Sequence, residues 1–328
     1  MPLNAVRLIR KMRGGAQAHL LECDDGCFYV VKFLNNPQHR RILINEHISS
    51  LFLQFLDISV PKTAVVNASR EFLADNPEIY LQLGHRRQPI EPGWHFGSCY
   101  PGDPARVTVY DFLPDVLLDK VENLKEFCGV LAFDKWMGNA DARQAIFFRA
   151  RLKPLLNRGS PATSDEPDRR SADEKVRRSA SEHVPRSASE PARRSASEPA
   201  RRSADEPARR SADPARMGFV AEMMDHGYVF DGPGWSFGDS PLQGLYFRPQ
   251  VYRQVRSFDD FQPWLDRIMH FPEQIVDQTL RQIPSQWLAG DEAELEKLLT
   301  KLLARSKRVP DLIREAQHGR INPFPHWV

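Results

Sequence analysis

Along the first hundred residues, apolar and polar positions change period several times, and each change predicts an element. A glycine turn, "RKMRGGAQAHLLE" (10–22), leads into the β-branched and aromatic run "CFYVVKFL" (27–34), and together they predict a hairpin. Asn36-Pro37 then reads as a helix start with proline at the first helical position. Ile44, Ile48, Leu51 and Phe55 follow at core spacing, to about Leu56. "DISVP" stops that helix and "KTAVVN" resumes as a strand, whereas "GWHFGSCYPGDP" (93–104) reads as an irregular surface loop. From Asn123 to Trp136 the pattern is helical and strongly apolar. "AIFFR" (145–149) and "GFVAEMM" (218–224) are strands, and "FQPWLDRIMHF", "DEAELEKLLTKLLARSK" and "VPDLIREAQ" are helices. The fold class is therefore α+β, strand-rich over 1–85 and helical over 86–156 and 217–328, with a cleft between the two parts.

Between the two strands the period becomes eight. From Arg169 the chain reads RRSADEKV, RRSASEHV, PRSASEPA, RRSASEPA, RRSADEPA and RRSADPAR. Eight matches neither helical repeat, and so few apolar groups cannot offset an ordering entropy of roughly 1–2 kcal/mol per residue. Residues 157–216 are expected to be a disordered insertion carried at a hairpin tip.

Dividing the charge by region changes its meaning. Residues 157–216 hold 14 basic and 11 acidic side chains and the remainder 31 and 32, so the folded body is not a basic nucleic-acid binder. No run of 18 apolar residues predicts a membrane span. The four cysteines (Cys23, Cys27, Cys99, Cys128) form no C-x-x-C pair, which points to a reduced, cytoplasmic protein without structural zinc.

Candidate chemistry begins with a polar knot in "FDKWMGNADARQAIFFRA" (133–150), where Asp134, Asn139, Asp141, Arg143 and Gln144 interrupt apolar sequence. Buried polar groups are costly unless paired or used. Four more features stand in one chain order with it. Gly14-Gly15 with Gln17 form a turn able to present backbone N–H groups to phosphates. Lys32 is a lone cation in a strand, Glu46 lies on the next helix, and Asp225 closes an apolar strand before His-Gly. Each has an ordinary reading: a turn, a snorkelling lysine, an exposed helical carboxylate, a turn aspartate. As a set they match what phosphoryl transfer needs: amides over phosphates, a lysine steadied by a glutamate, a base, and a metal-binding carboxylate.

These blocks resemble the HipA-like kinases, a bacterial branch of the protein-kinase-like fold, and among them the short kinase-domain proteins. "RGGAQAHLL", "YVVKFLNNPQHRRILINE", "DISVP", "HFGS", "FDKWMGNADARQ" and "MDHGYVF" carry the resemblance over about 5–150 and 218–310. It implies a bilobal kinase-like fold using ATP and Mg²⁺ on a protein or other hydroxyl acceptor. Lys32 would bind ATP phosphates with Gly14, Gly15 and Gln17, Glu46 would hold Lys32, Asp141 would be the base and Asp225 the metal ligand. One departure stands out: five residues after Asp141, where kinases place a metal-binding Asn, this chain has Ile146. Gln144 or Asn139 would then serve as the amide ligand. Asp134, with Asn139 five later, is the alternative base, and the altered site opens a second reading as a pseudokinase.

Overall fold

Strands with one apolar row need a layer to cover it, and the strand-rich part supplies that layer by closing on itself. The structure, a computed structural model, describes residues 1–151 and 217–328, which form one unit. The octapeptide array lies outside the described residues. In chain order come β1 (Leu3–Lys11), β2 (His19–Cys23), β3 (Phe28–Lys32), α1 (Arg41–Phe55) and β4 (Thr63–Ala68). Then follow α2 (Arg70–Asp75), β5 (Tyr80–Leu83), β6 (Arg86–Pro89) and β7 (Gly93–Cys99). Strands β1, β2, β3, β7 and β4 close a barrel in that order, with only the β1–β4 seam parallel. Leu21, Tyr29, Val31, Phe33 and Val66 fill it. Burial alternates along β3, so Tyr29 and Val31 face the interior and Lys32 faces away from it.

The rest comprises β8 (Val109–Tyr110), α3 (Asp115–Leu118), α4 (Glu126–Met137), β9 (Gln144–Arg151) and β10 (Met217–Met224). Five helices follow: α5 (Trp264–Met269), α6 (Glu273–Gln282), α7 (Ser285–Leu288), α8 (Glu292–Arg305) and α9 (Val309–Gln317). As the sequence predicts, β9 and β10 pair antiparallel, from Gln144 opposite Met224 to Arg151 opposite Met217. Strand β8 extends this sheet along β9. A second core joins α1 and α4 to the helical part, with Trp136 stacked on Phe52 and both against Phe271.

Three expectations are corrected. Residues 93–99, read as loop, are strand β7, paired with both β3 and β4; glycines and ring side chains mask its period of two. Helix α1 starts at Arg41 rather than at Asn36-Pro37, because the Asn36 side chain accepts from Gln38 N at 2.8 Å and His39 takes a φ of 118°. Its buried face includes Ile42, Leu43, Phe52 and Leu53, while Leu51 is half-buried and Phe55 is exposed. The helix is covered by β7 on one side and by α6 and α7 on another, so it shows no single apolar stripe.

Candidate functional site

Lys32 ends β3 facing α1, and Glu46, 3% exposed, stands on α1 to meet it. The Lys32 ammonium donates to Glu46 and, at 2.7 Å, to Oδ1 of Asp225, the residue after β10. Burial works against the lysine's charge, but Glu46 and Asp225 outweigh it and raise its pKa above the ordinary value. Lys32 in turn holds the Asp225 carboxyl below its usual range. Asp225 has a φ of 59°, a left-handed conformation that aspartate tolerates better than most side chains and that often marks functional sites. Two residues on, Gly227 passes so close to α1 that a Cβ there would meet Ile42 at 2.8 Å. Asn45 Nδ2 fixes this segment by donating to the carbonyls of Gly227, Val229 and Gly232 at 2.8–3.1 Å, and Trp235 Nε1 donates to its Oδ1.

The polar knot divides into a buried half and an open half. Asp134 and Arg143 are fully buried partners, Arg143 Nε donating to Asp134 Oδ2 at 2.7 Å and Nη2 to Oδ1. Asn139 Nδ2 donates to the same carboxylate at 3.0 Å, while its Oδ1 accepts from Asp141 N at 3.2 Å. Arg143 Nη1 reaches across to Met224 O at 3.0 Å and His226 Nδ1 at 2.8 Å. Burial first, then Arg143 and Lys32, hold His226 well below its usual range, so it stays neutral and Nε2–H donates to Met223 O. Asp141 and Gln144 form the open half, with both side chains exposed.

A cavity of about 720 Å³ runs past this assembly, lined by Gly14, Gly15, Lys32, Asp141, Gln144 and Asp225. Glu46 stands behind Lys32 rather than on the cavity wall. Three predicted residues lie apart. Gln17 is turned to β5, donating from Nε2 to Gln82 O at 2.8 Å and accepting from Gln82 N at 2.6 Å. Asn139 is taken up by Asp134 and Asp141 N, and Asp134, the alternative base, is sealed against Arg143. Sequence reasoning missed Asn45 and His226 as organising residues, and it placed Arg143 in the polar knot without assigning it a role. Asn45 had a signal, a polar group beside Glu46 inside "RILINEHI".

Among the described residues no group of three or more His, Cys, Asp or Glu side chains is placed to hold a metal by itself. Mg²⁺ seldom needs one, being bound through one or two carboxylates, water and substrate phosphates. Asp225 and Gln144, which line the same cavity, offer that donor chemistry. No helix among the described residues is long and apolar enough to cross a membrane. No curated protein and no solved structure gives a significant match. Residues 5–146, which carry Gly14, Lys32, Glu46 and Asp141, match the family model described as HipA-like kinase.

Proposed function

We propose that this protein is an ATP- and Mg²⁺-dependent kinase that transfers a phosphoryl group to a protein or other hydroxyl acceptor. The observation that carries the reading is the Lys32 ammonium, ion-paired to both Glu46 and Asp225 on the wall of the cavity that Asp141 and the Gly14-Gly15 turn also line. Glu46 fixes Lys32 so that its remaining donor capacity meets phosphate oxygens, and the glycine turn offers backbone N–H groups to the same charge. Bound Mg²⁺, held by Asp225 and Gln144, would neutralise phosphate charge. Asp141 takes the proton from the acceptor hydroxyl as the new O–P bond forms. The bond between the γ-phosphorus and its bridging oxygen breaks, and ADP departs with that electron pair.

A second reading, a nucleotide-binding module without turnover, is favoured by one observation. Ile146 is 7% exposed inside β9, so the position five after Asp141 offers no ligand at all. Calorimetric titration tests the shared premise. Mg²⁺-ATP should bind wild type, bind Asp225→Asn at least about tenfold more weakly, and bind Asp141→Asn within about twofold of wild type, because Asp225 and not Asp141 is assigned to the metal. Absence of ATP binding by wild type would end both readings.

A further inference from the structure

The cavity that Asp141 and Asp225 line also carries positive charge with no role in the proposed phosphoryl transfer. Arg13 directly precedes Gly14-Gly15, Arg10 lies near the end of β1, and both line the cavity. Among the described residues, exposed Arg13 makes no hydrogen bond or ion pair, and Arg10 has only a Tyr100 ring at 6.0 Å. Neighbouring Lys11 is already engaged, donating to Gln17 Oε1 at 3.2 Å and Tyr80 O at 3.3 Å. Arg10 and Arg13 therefore bring two guanidinium groups, without acidic partners among the described residues, to the cavity that Lys32 also lines. An unpaired guanidinium is suited to bidentate contact with phosphate oxygens.

The altered metal site gives this charge a purpose. Kinases commonly balance the triphosphate with two metal ions, the second held by the asparagine that Ile146 replaces here. Asn139 is no substitute, since both ends of its amide are occupied within the loop. The remaining metal-binding set, Asp225 with Gln144, suits one ion. One Mg²⁺ and Lys32 leave part of the charge of a nucleoside triphosphate uncompensated.

Resting on the kinase reading, we infer that Arg13, assisted by Arg10, is a polyphosphate-binding residue of the glycine turn and takes over the charge balance of the missing second metal ligand. The ligand class is a nucleoside triphosphate, bound by its β- and γ-phosphates. A nucleoside monophosphate gains little from Arg13.

The test is calorimetric titration of wild type, Arg13→Ala, Arg13→Lys and Arg10→Ala with ATP, ADP and AMP, each with Mg²⁺ at two salt concentrations. Arg13→Ala should weaken ATP by about tenfold and leave AMP within about twofold. Arg13→Lys should recover part of the loss, and Arg13→Ala should lower the salt dependence of ATP binding. Arg13 is exposed and unpaired, so its variants should melt at the wild-type temperature. Wild-type affinity for ATP in Arg13→Ala would overturn the inference while leaving the nucleotide site standing. Equal losses for ATP and AMP would also overturn it. No nucleotide binding by wild type would overturn both this inference and the kinase reading.

Discussion

Replacing Lys32 by methionine would leave Glu46 buried opposite Asp225 with no cation between them. Removing one partner of a buried pair typically costs about 3–5 kcal/mol, so Lys32→Met should lower stability in chemical denaturation by an amount in that range. Adding Glu46→Gln should return part of it, since the stranded carboxylate is then gone; a Lys32→Met variant as stable as wild type would contradict the pairing. Arg143→Met is the parallel case, leaving Asp134 fully buried and uncompensated, with a similar loss expected. At this scale the sequence was legible where a single charge interrupts an apolar run, as at Lys32 and Asp225. It was illegible at Gln17 and Asn139. An amide serves a backbone group as readily as a ligand, and which it serves depends on Gln82 and Asp134, distant in sequence or folded back in space.

Helix α1 ties the barrel to the segment after β10, and Asn45 is the tie. Asn45→Ala would strand three carbonyls and the Trp235 N–H at a buried position, at a cost of about 2–3 kcal/mol. Hydrogen exchange should then speed up over residues 226–235 while the barrel strands stay protected; unchanged exchange there would show that the segment is held by other contacts. The pairing of β9 with β10 was readable from two apolar runs despite the 65 residues between Arg151 and Met217. Strand β7 was hidden, because glycines and ring side chains mask its period of two. The covering of α1 on several sides likewise blurs the stripe from which its core face was predicted.

At the scale of the whole molecule, four buried histidines among the described residues shape the response to acid. Burial lowers His19 and His47 to about 4 and His95 to about 3, and His226 lies well below 6.5. Between pH 6.5 and about 4 the unfolded chain binds a proton at each while the folded chain does not, so stability is fully present above 6.5 and is lost as pH falls. Glu222 runs the other way: burial raises it to about 7, so its contribution is present below 4.5 and lost as pH rises through 7. With Glu222 set against the four histidines, the unfolded chain binds more protons at these groups than the folded chain between pH 6.5 and 5. Denaturation midpoints should therefore fall steeply from pH 7 to 5, and a flat profile would contradict the buried, neutral histidines. That the same molecule is a phosphotransferase is tested most directly by its turnover of ATP. Purified wild type with Mg²⁺ should release ADP and label an acceptor hydroxyl, and Asp141→Asn should bind ATP yet reduce that rate by at least about 100-fold. Equal rates for wild type and Asp141→Asn, whether measurable or at background, would contradict the account.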